Sequence, residues 1–201
     1  MAVTTEEIKK LREITGAGIM DCRKALEQSG GDFDKAVDHL REKGMETAAE
    51  RADRVTSEGV VELYSHGNGR VGVMVEVNCE TDFVARSESF RTFAHEIALQ
   101  VAASSPKYFR LEDIPVEVLE HEREMSRVSA REEGKPEPII ERIVEGRINK
   151  YINDTCLLRQ PYIRDEEITV EQLLLQKIVA IGENIVIRRF ARWELGESIV
   201  I

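Results

Sequence analysis

No apolar run in the 201 residues approaches the ~20 needed to cross a bilayer, which excludes a membrane-spanning helix. Cysteine is scarce: Cys22, Cys79 and Cys156 are odd in number, far apart and without a CxxC pair. Neither a disulfide framework nor a zinc site is encoded by such spacing, and no cofactor or metal is expected. Positive charge is in deficit, with 28 Lys and Arg against 38 Asp and Glu, a net charge of -10. Affinity for nucleic acid comes largely from cations that displace condensed counterions, so direct nucleic-acid binding is not expected and the partner is expected to be protein. The opening MAVTTEEIKK carries acids early and lacks an apolar core of signal-peptide length, which predicts a cytoplasmic chain with reduced thiols.

What is present is the composition of a globular protein, 42% hydrophobic and 33% charged, with length enough for one sizeable core and a satellite module. Thr4 and Glu7 form a capping-box pattern before Ile8, Leu11 and Ile14, and the run stops at Gly16. A second helix is predicted from about Ile19 through Leu26, ending near Gly30. Asp32 can cap a third that holds Phe33, Ala36, Val37 and Leu40 before Gly44. Residues 45–54, METAAERADR, read as a solvated helical connector, so a head with connector over 1–54 and a core over 55–201 are expected.

From Val55 the period changes. Val71, Val73, Val75 and Val77 alternate with Gly72, Met74 and Glu76 around an Asn68-Gly69 turn signal, which predicts a hairpin. Phe90, Phe93, Ala94, Ile97, Ala98, Val101 and Ala102 make one helical stripe that should pack on the sheet. Pro115 can start a helix carrying Val118, Leu119, Met125 and Val128 as far as the breaker GKPEP. Another follows with Ile139, Ile140, Ile143, Val144 and Ile148 inward. Thr169 and Gln172 suggest a capping box for a last helix, after which Asn184 to Trp193 alternates like a strand. The core is therefore expected to be α+β, and the tail SIVI suggests no assignment.

Several motifs dissolve on inspection. Gly67, Gly69 and Gly72 match GxGxxG, but a dinucleotide site needs a helix after those glycines, and here a strand follows. Cys79 lies beside Glu80 and Asp82, which oppose a thiolate. His39, His66, His95 and His121 are scattered, which argues against a ligand set or catalytic base. Asn153-Asp154-Thr155 has glycosylation spacing in a chain expected never to meet the transferase. For Arg188 and Arg189 a cross-sheet salt bridge is one reading among those open.

The informative segment is Cys79 to Arg86. Thr81 or Asp82 can cap a helix there, the reading the pattern favours. The alternative is that Phe83 projects, with Asp82 beside it, as an aromatic anchor into another protein's groove.

The runs LREITGAGIMDCRKAL (Leu11 to Leu26) and EVNCETDFVAR (Glu76 to Arg86) resemble the two signatures of the elongation factor Ts family, and IGENIVIRRF (Ile181 to Phe190) is similar to its carboxy-terminal strand region. The resemblance implies a small ubiquitin-associated-like head of three helices, a core of helices packed on a small antiparallel sheet, and no enzymatic activity. It implies a guanine-nucleotide exchange factor that binds elongation factor Tu with GDP, with Arg12, Ile19, Met20 and Arg23 gripping the partner's nucleotide-binding domain. Thr81, Asp82, Phe83 and Val84 would be the segment that disturbs the partner's magnesium. Longer relatives carry a helical insertion whose contacts cannot be transferred, and a homodimer or a two-plus-two complex is left open. Two rivals stand beside this reading: a polypeptide-binding adaptor with a dimerising core, and a thiol enzyme using Cys79.

Overall fold

The structure, a computed structural model, describes residues 3–197; the SIVI tail lies outside the described residues. The chain is α+β and divides into two compact units, one built from residues up to Leu99 together with those from Gln172 onward, the other from Gln100–Glu171.

In the first unit, α1 (Thr5–Thr15), α2 (Ile19–Gln28) and α3 (Phe33–Arg51) make the head. The Thr4–Glu7 capping box forms as its pattern predicts, and α1 ends at Gly16 with φ of 68°, a conformation that spares glycine the Cβ clash other residues meet. Asp32 caps α3 by accepting from Lys35 N. Leu11, Cys22, Ala25, Leu26, Ala36, Val37 and Leu40 close the head's core.

The sequence places a helix end before Gly44, whereas α3 runs without interruption to Arg51. Gly44 is buried, facing Val179 of α8 (Val170–Ile181), and a Cβ there would lie 3.5 Å from Val179 Cγ2, an ordinary van der Waals contact that an alanine could make. Arg51 also donates to Ile178 O at 2.8 Å.

The sheet has the order β1-β2-β5, from β1 (Glu58–His66), β2 (Val71–Cys79) and β5 (Val186–Glu194), all antiparallel. Gly67, Asn68 and Gly69 all take positive φ in the connecting turn, which settles the GxGxxG match as turn chemistry. Val73, Val75 and Val77 are buried. Glu62 and Tyr64 pair opposite Val75 and Val73. They meet His95 of α5 (Glu88–Ser104), so the stripe Phe90, Phe93, Ala94, Ile97 and Ala98 lies on this face. A bulge inserts Arg188 between the Glu76–Arg189 and Val77–Ile187 pairs. An extra residue turns neighbouring side chains to one side, and both arginines reach Glu76, at 3.8 Å and 2.6 Å. The cross-sheet reading of this pair holds.

In the second unit, α6 (Val116–Glu132) and α7 (Glu137–Thr155) form a hairpin around Ala130, Ile140, Val144 and Ile148. Ile139, expected inward, is 44% exposed; one residue before Ile140, it is rotated by about 100° out of that seam. Gln100 and Gln160 are buried here and satisfied. Gln100 Nε2 donates to Pro161 O, its Oε1 accepts from Ile163 N, and Gln160 Nε2 donates to Asp154 O. A two-strand ribbon, β3 (Pro161–Tyr162) and β4 (Asp165–Thr169), completes the unit.

Gly59 sets a limit on the sheet. Its φ is 149°, and a Cβ there would fall 2.2 Å from Val77 O, inside any tolerable contact with backbone that cannot retreat. Gly59→Ala is expected to cost about 3 kcal/mol or more, read as a lower urea midpoint; an unchanged midpoint would show that β1 can shift on β2.

Candidate functional site

At the end of β2 the chain turns through Glu80 and Thr81 into α4 (Asp82–Arg86). Thr81 Oγ1 accepts from Val84 N at 3.3 Å, and Thr81 O accepts from Ala85 N at 3.1 Å. Ser87 ends the turn, donating its N–H to Val84 O at 2.9 Å, and its hydroxyl accepts from Phe90 N at 3.3 Å to start α5. Five residues are too few to be a stable helix alone, so α4 exists because the Thr81 hydroxyl closes its start, the Ser87 N–H closes its end and its inner face packs. That face is Val84 and Ala85, both buried.

Burying two successive residues of a helical turn leaves the preceding two turned away. Phe83 is 81% exposed, and Asp82 lies beside it in an ion pair with Arg86 at 3.1 Å. Capping by Thr81 and projection of Phe83, which the sequence sets against each other, therefore coexist. Of the four residues singled out here, Thr81 caps, Asp82 and Phe83 face outward, and Val84 faces inward.

The turn is tied down by Glu183 and Asn184, which the sequence shows only as part of the IGENIVIRRF run, with no sign of this role. One Glu183 oxygen accepts from Glu80 N and Thr81 N at 3.0 Å and 3.1 Å; the other accepts from Thr81 Oγ1 at 2.6 Å. In return Glu80 Oε1 accepts from Asn184 N at 2.6 Å. Asn184, itself buried, donates through Nδ2 to Ala52 O and Arg54 O. Gly182, with φ of 89°, follows α8 just before this loop.

The second predicted patch sits on the head. Arg12 is exposed in the last turn of α1. Ile19 and Met20 are exposed in the first turn of α2, and Arg23, exposed one turn on, pairs with Glu27 at 2.8 Å. Lys43 of α3 meets Asp21 of α2 at 2.6 Å. A third apolar area covers the outer face of the sheet, where Val61, Leu63, Met74 and Trp193 are exposed and adjacent by strand register.

Cys79 is fully buried and its thiol donates to Thr81 O at 3.3 Å. Burial, and next the nearby Glu183 carboxylate, push it up to about 11. A thiol so placed is a poor nucleophile. Burial raises Cys22 and Cys156 as well. All three are expected to resist alkylation at pH 8 in the folded chain and to react once it is unfolded, read by intact mass; rapid labelling of native Cys79 would reopen the thiol reading.

The chain matches the family described as Elongation factor TS over residues 2–197. It is 55% identical over 197 residues to "Elongation factor Ts" of Carboxydothermus hydrogenoformans, covering 98% of this chain and 91% of that protein. With the protein of the same name from Caldanaerobacter subterraneus subsp. tengcongensis the identity is 57% over 197 residues, covering 98% of each. With that of Moorella thermoacetica it is 54% over 198 residues, again covering 98% of each. A match of this extent in both chains establishes that this protein belongs to the elongation factor Ts family of translation elongation factors.

Proposed function

We propose that the chain is a guanine-nucleotide exchange factor, acting in the cytoplasm on elongation factor Tu bound to GDP. The observation that carries this reading is Phe83: a large apolar side chain held 81% in solvent on a turn closed at both ends. Leaving an aromatic ring wet forfeits roughly 1.5–3 kcal/mol of burial, a cost recovered when the ring enters a partner's groove. Asp82 stands beside it as the polar component, and Arg12, Ile19, Met20 and Arg23 are the proposed grip on the partner's nucleotide-binding domain. Val84 supports the wedge from inside.

Magnesium demands near-octahedral oxygen geometry at about 2.0–2.1 Å, so a small displacement of the partner's helices by Phe83 spoils its site and loosens the phosphates it holds. No residue of this chain ligates the ion in this scheme. Whatever lowers GDP affinity on binding is itself bound more weakly when nucleotide is present, by reciprocity of coupling. Incoming GTP therefore expels the factor, and recycling needs no chemistry from it.

Fluorescent-GDP release from purified elongation factor Tu tests the reading. Phe83→Ala is expected to slow stimulated release about tenfold or more while changing unfolding free energy by under about 0.5 kcal/mol. Normal stimulation by that variant would remove the wedge. Binding by the intact chain without any stimulation would favour the adaptor.

The outer sheet face favours a second copy of this chain as a further partner, in a homodimer or a two-plus-two complex. An isologous contact sets Val61, Leu63, Met74 and Trp193 against the same set. Trp193→Asp is expected to yield monomers in sedimentation equilibrium; a monomeric parent chain would dismiss the pairing.

A further inference from the structure

We propose that Glu183 is a positioning residue for the turn that carries Phe83. Its carboxylate fixes the backbone from which α4 starts, and so the direction in which the ring points. The inference rests on the exchange reading and deepens it.

A carboxylate that accepts two backbone N–H bonds and one hydroxyl at 3.0, 3.1 and 2.6 Å forms charge-assisted bonds, roughly twice as strong as neutral ones. All three donors belong to Glu80 and Thr81, the two residues immediately before α4. Thr81 holds its own cap with the same hydroxyl, which donates to Glu183 while accepting from Val84 N. A hydroxyl has one proton and two lone pairs, so Glu183 takes the proton and leaves a lone pair aimed at the cap. Losing Glu183 frees that rotor.

The arrangement is reciprocal. Glu80 holds the backbone of Asn184, and Asn184 holds the carbonyls of Ala52 and Arg54 just beyond α3. Arg54 lies 3.5 Å from Glu80. Three loops far apart in sequence therefore close on one another, and the proposed wedge is referenced to the end of the head's last helix. A packing role alone would not require the carboxylate to meet both amides and the capping hydroxyl.

Five chains decide it: parent, Glu183→Ala, Phe83→Ala, the double variant, and Glu183→Gln as the conservative control. Amide hydrogen exchange on the free chain is expected to speed up about tenfold at residues 80–84 in Glu183→Ala, with β2 and β5 still protected. Stimulated GDP release is expected to fall about tenfold. Glu183→Gln, which keeps an oxygen for the two amides, is expected to recover most of it. The double variant is expected to be no slower than Phe83→Ala, because both changes act on one device.

Normal release by Glu183→Ala, additive losses in the double variant, or loss of protection across the whole sheet would each overturn the assignment. Full stimulation by Phe83→Ala would instead defeat the wedge itself, and the exchange of amides 80–84 would still decide whether Glu183 holds the turn.

Discussion

One helical turn, closed by Thr81 and Ser87, decides the direction of four successive side chains. Once Val84 and Ala85 are buried under β1 and β2, Asp82 and Phe83 have nowhere to point but outward, since successive helical residues are about 100° apart. Rotating Phe83 inward would expose Val84, break the Thr81 cap and unseat the start of α5, which Ser87 also caps. The ring is thus exposed by constraint, and the proposed wedge needs no induced rearrangement of this chain to be presented.

The rest of the first unit serves that constraint. The sheet ends at Cys79, whose buried thiol bonds to Thr81 O, and α5 continues from the turn into the stripe that covers the sheet's inner face. Gly59 permits β1 to approach β2 where a side chain could not. The clamp between the loops at Glu80 and Glu183 joins these parts to the residues just after α3. Pre-organisation of this kind lowers the entropy lost on docking, which suits the proposed exchange role, where binding must be tight enough to loosen a nucleotide and weak enough to be expelled by the next.

Much of this architecture was legible because its determinants are local. The Thr4–Glu7 box, the stop at Gly16, the Asp32 cap and the Gly67–Gly69 turn each need only neighbours in sequence. The stripe of α5 has a long, regular period. Where tertiary contacts decide, the sequence misleads or is silent. Gly44 reads as a helix stop, yet it sits inside α3, on the buried face that meets Val179. Ile139 reads as inward beside Ile140 and lies one step off the seam. The two-residue strand β3 is too short to show a period. The Glu183 contacts span about a hundred residues, and nothing local marks a glutamate after Gly182 as the holder of Thr81. At the candidate site, capping and projection read as rivals because a linear pattern does not show that one turn can do both.

Membership of the elongation factor Ts family is shown by sequence over nearly the whole chain; the action of Phe83 is the proposed part. The most direct measurement is the structure of this chain bound to nucleotide-free elongation factor Tu, with the exposure of Phe83 compared with its 81% in the free chain. The account expects the ring to be almost wholly buried between elements of the partner, on an α4 unchanged in direction. A complex in which Phe83 stays in solvent, or in which α4 has unwound to deliver it, would contradict the claim.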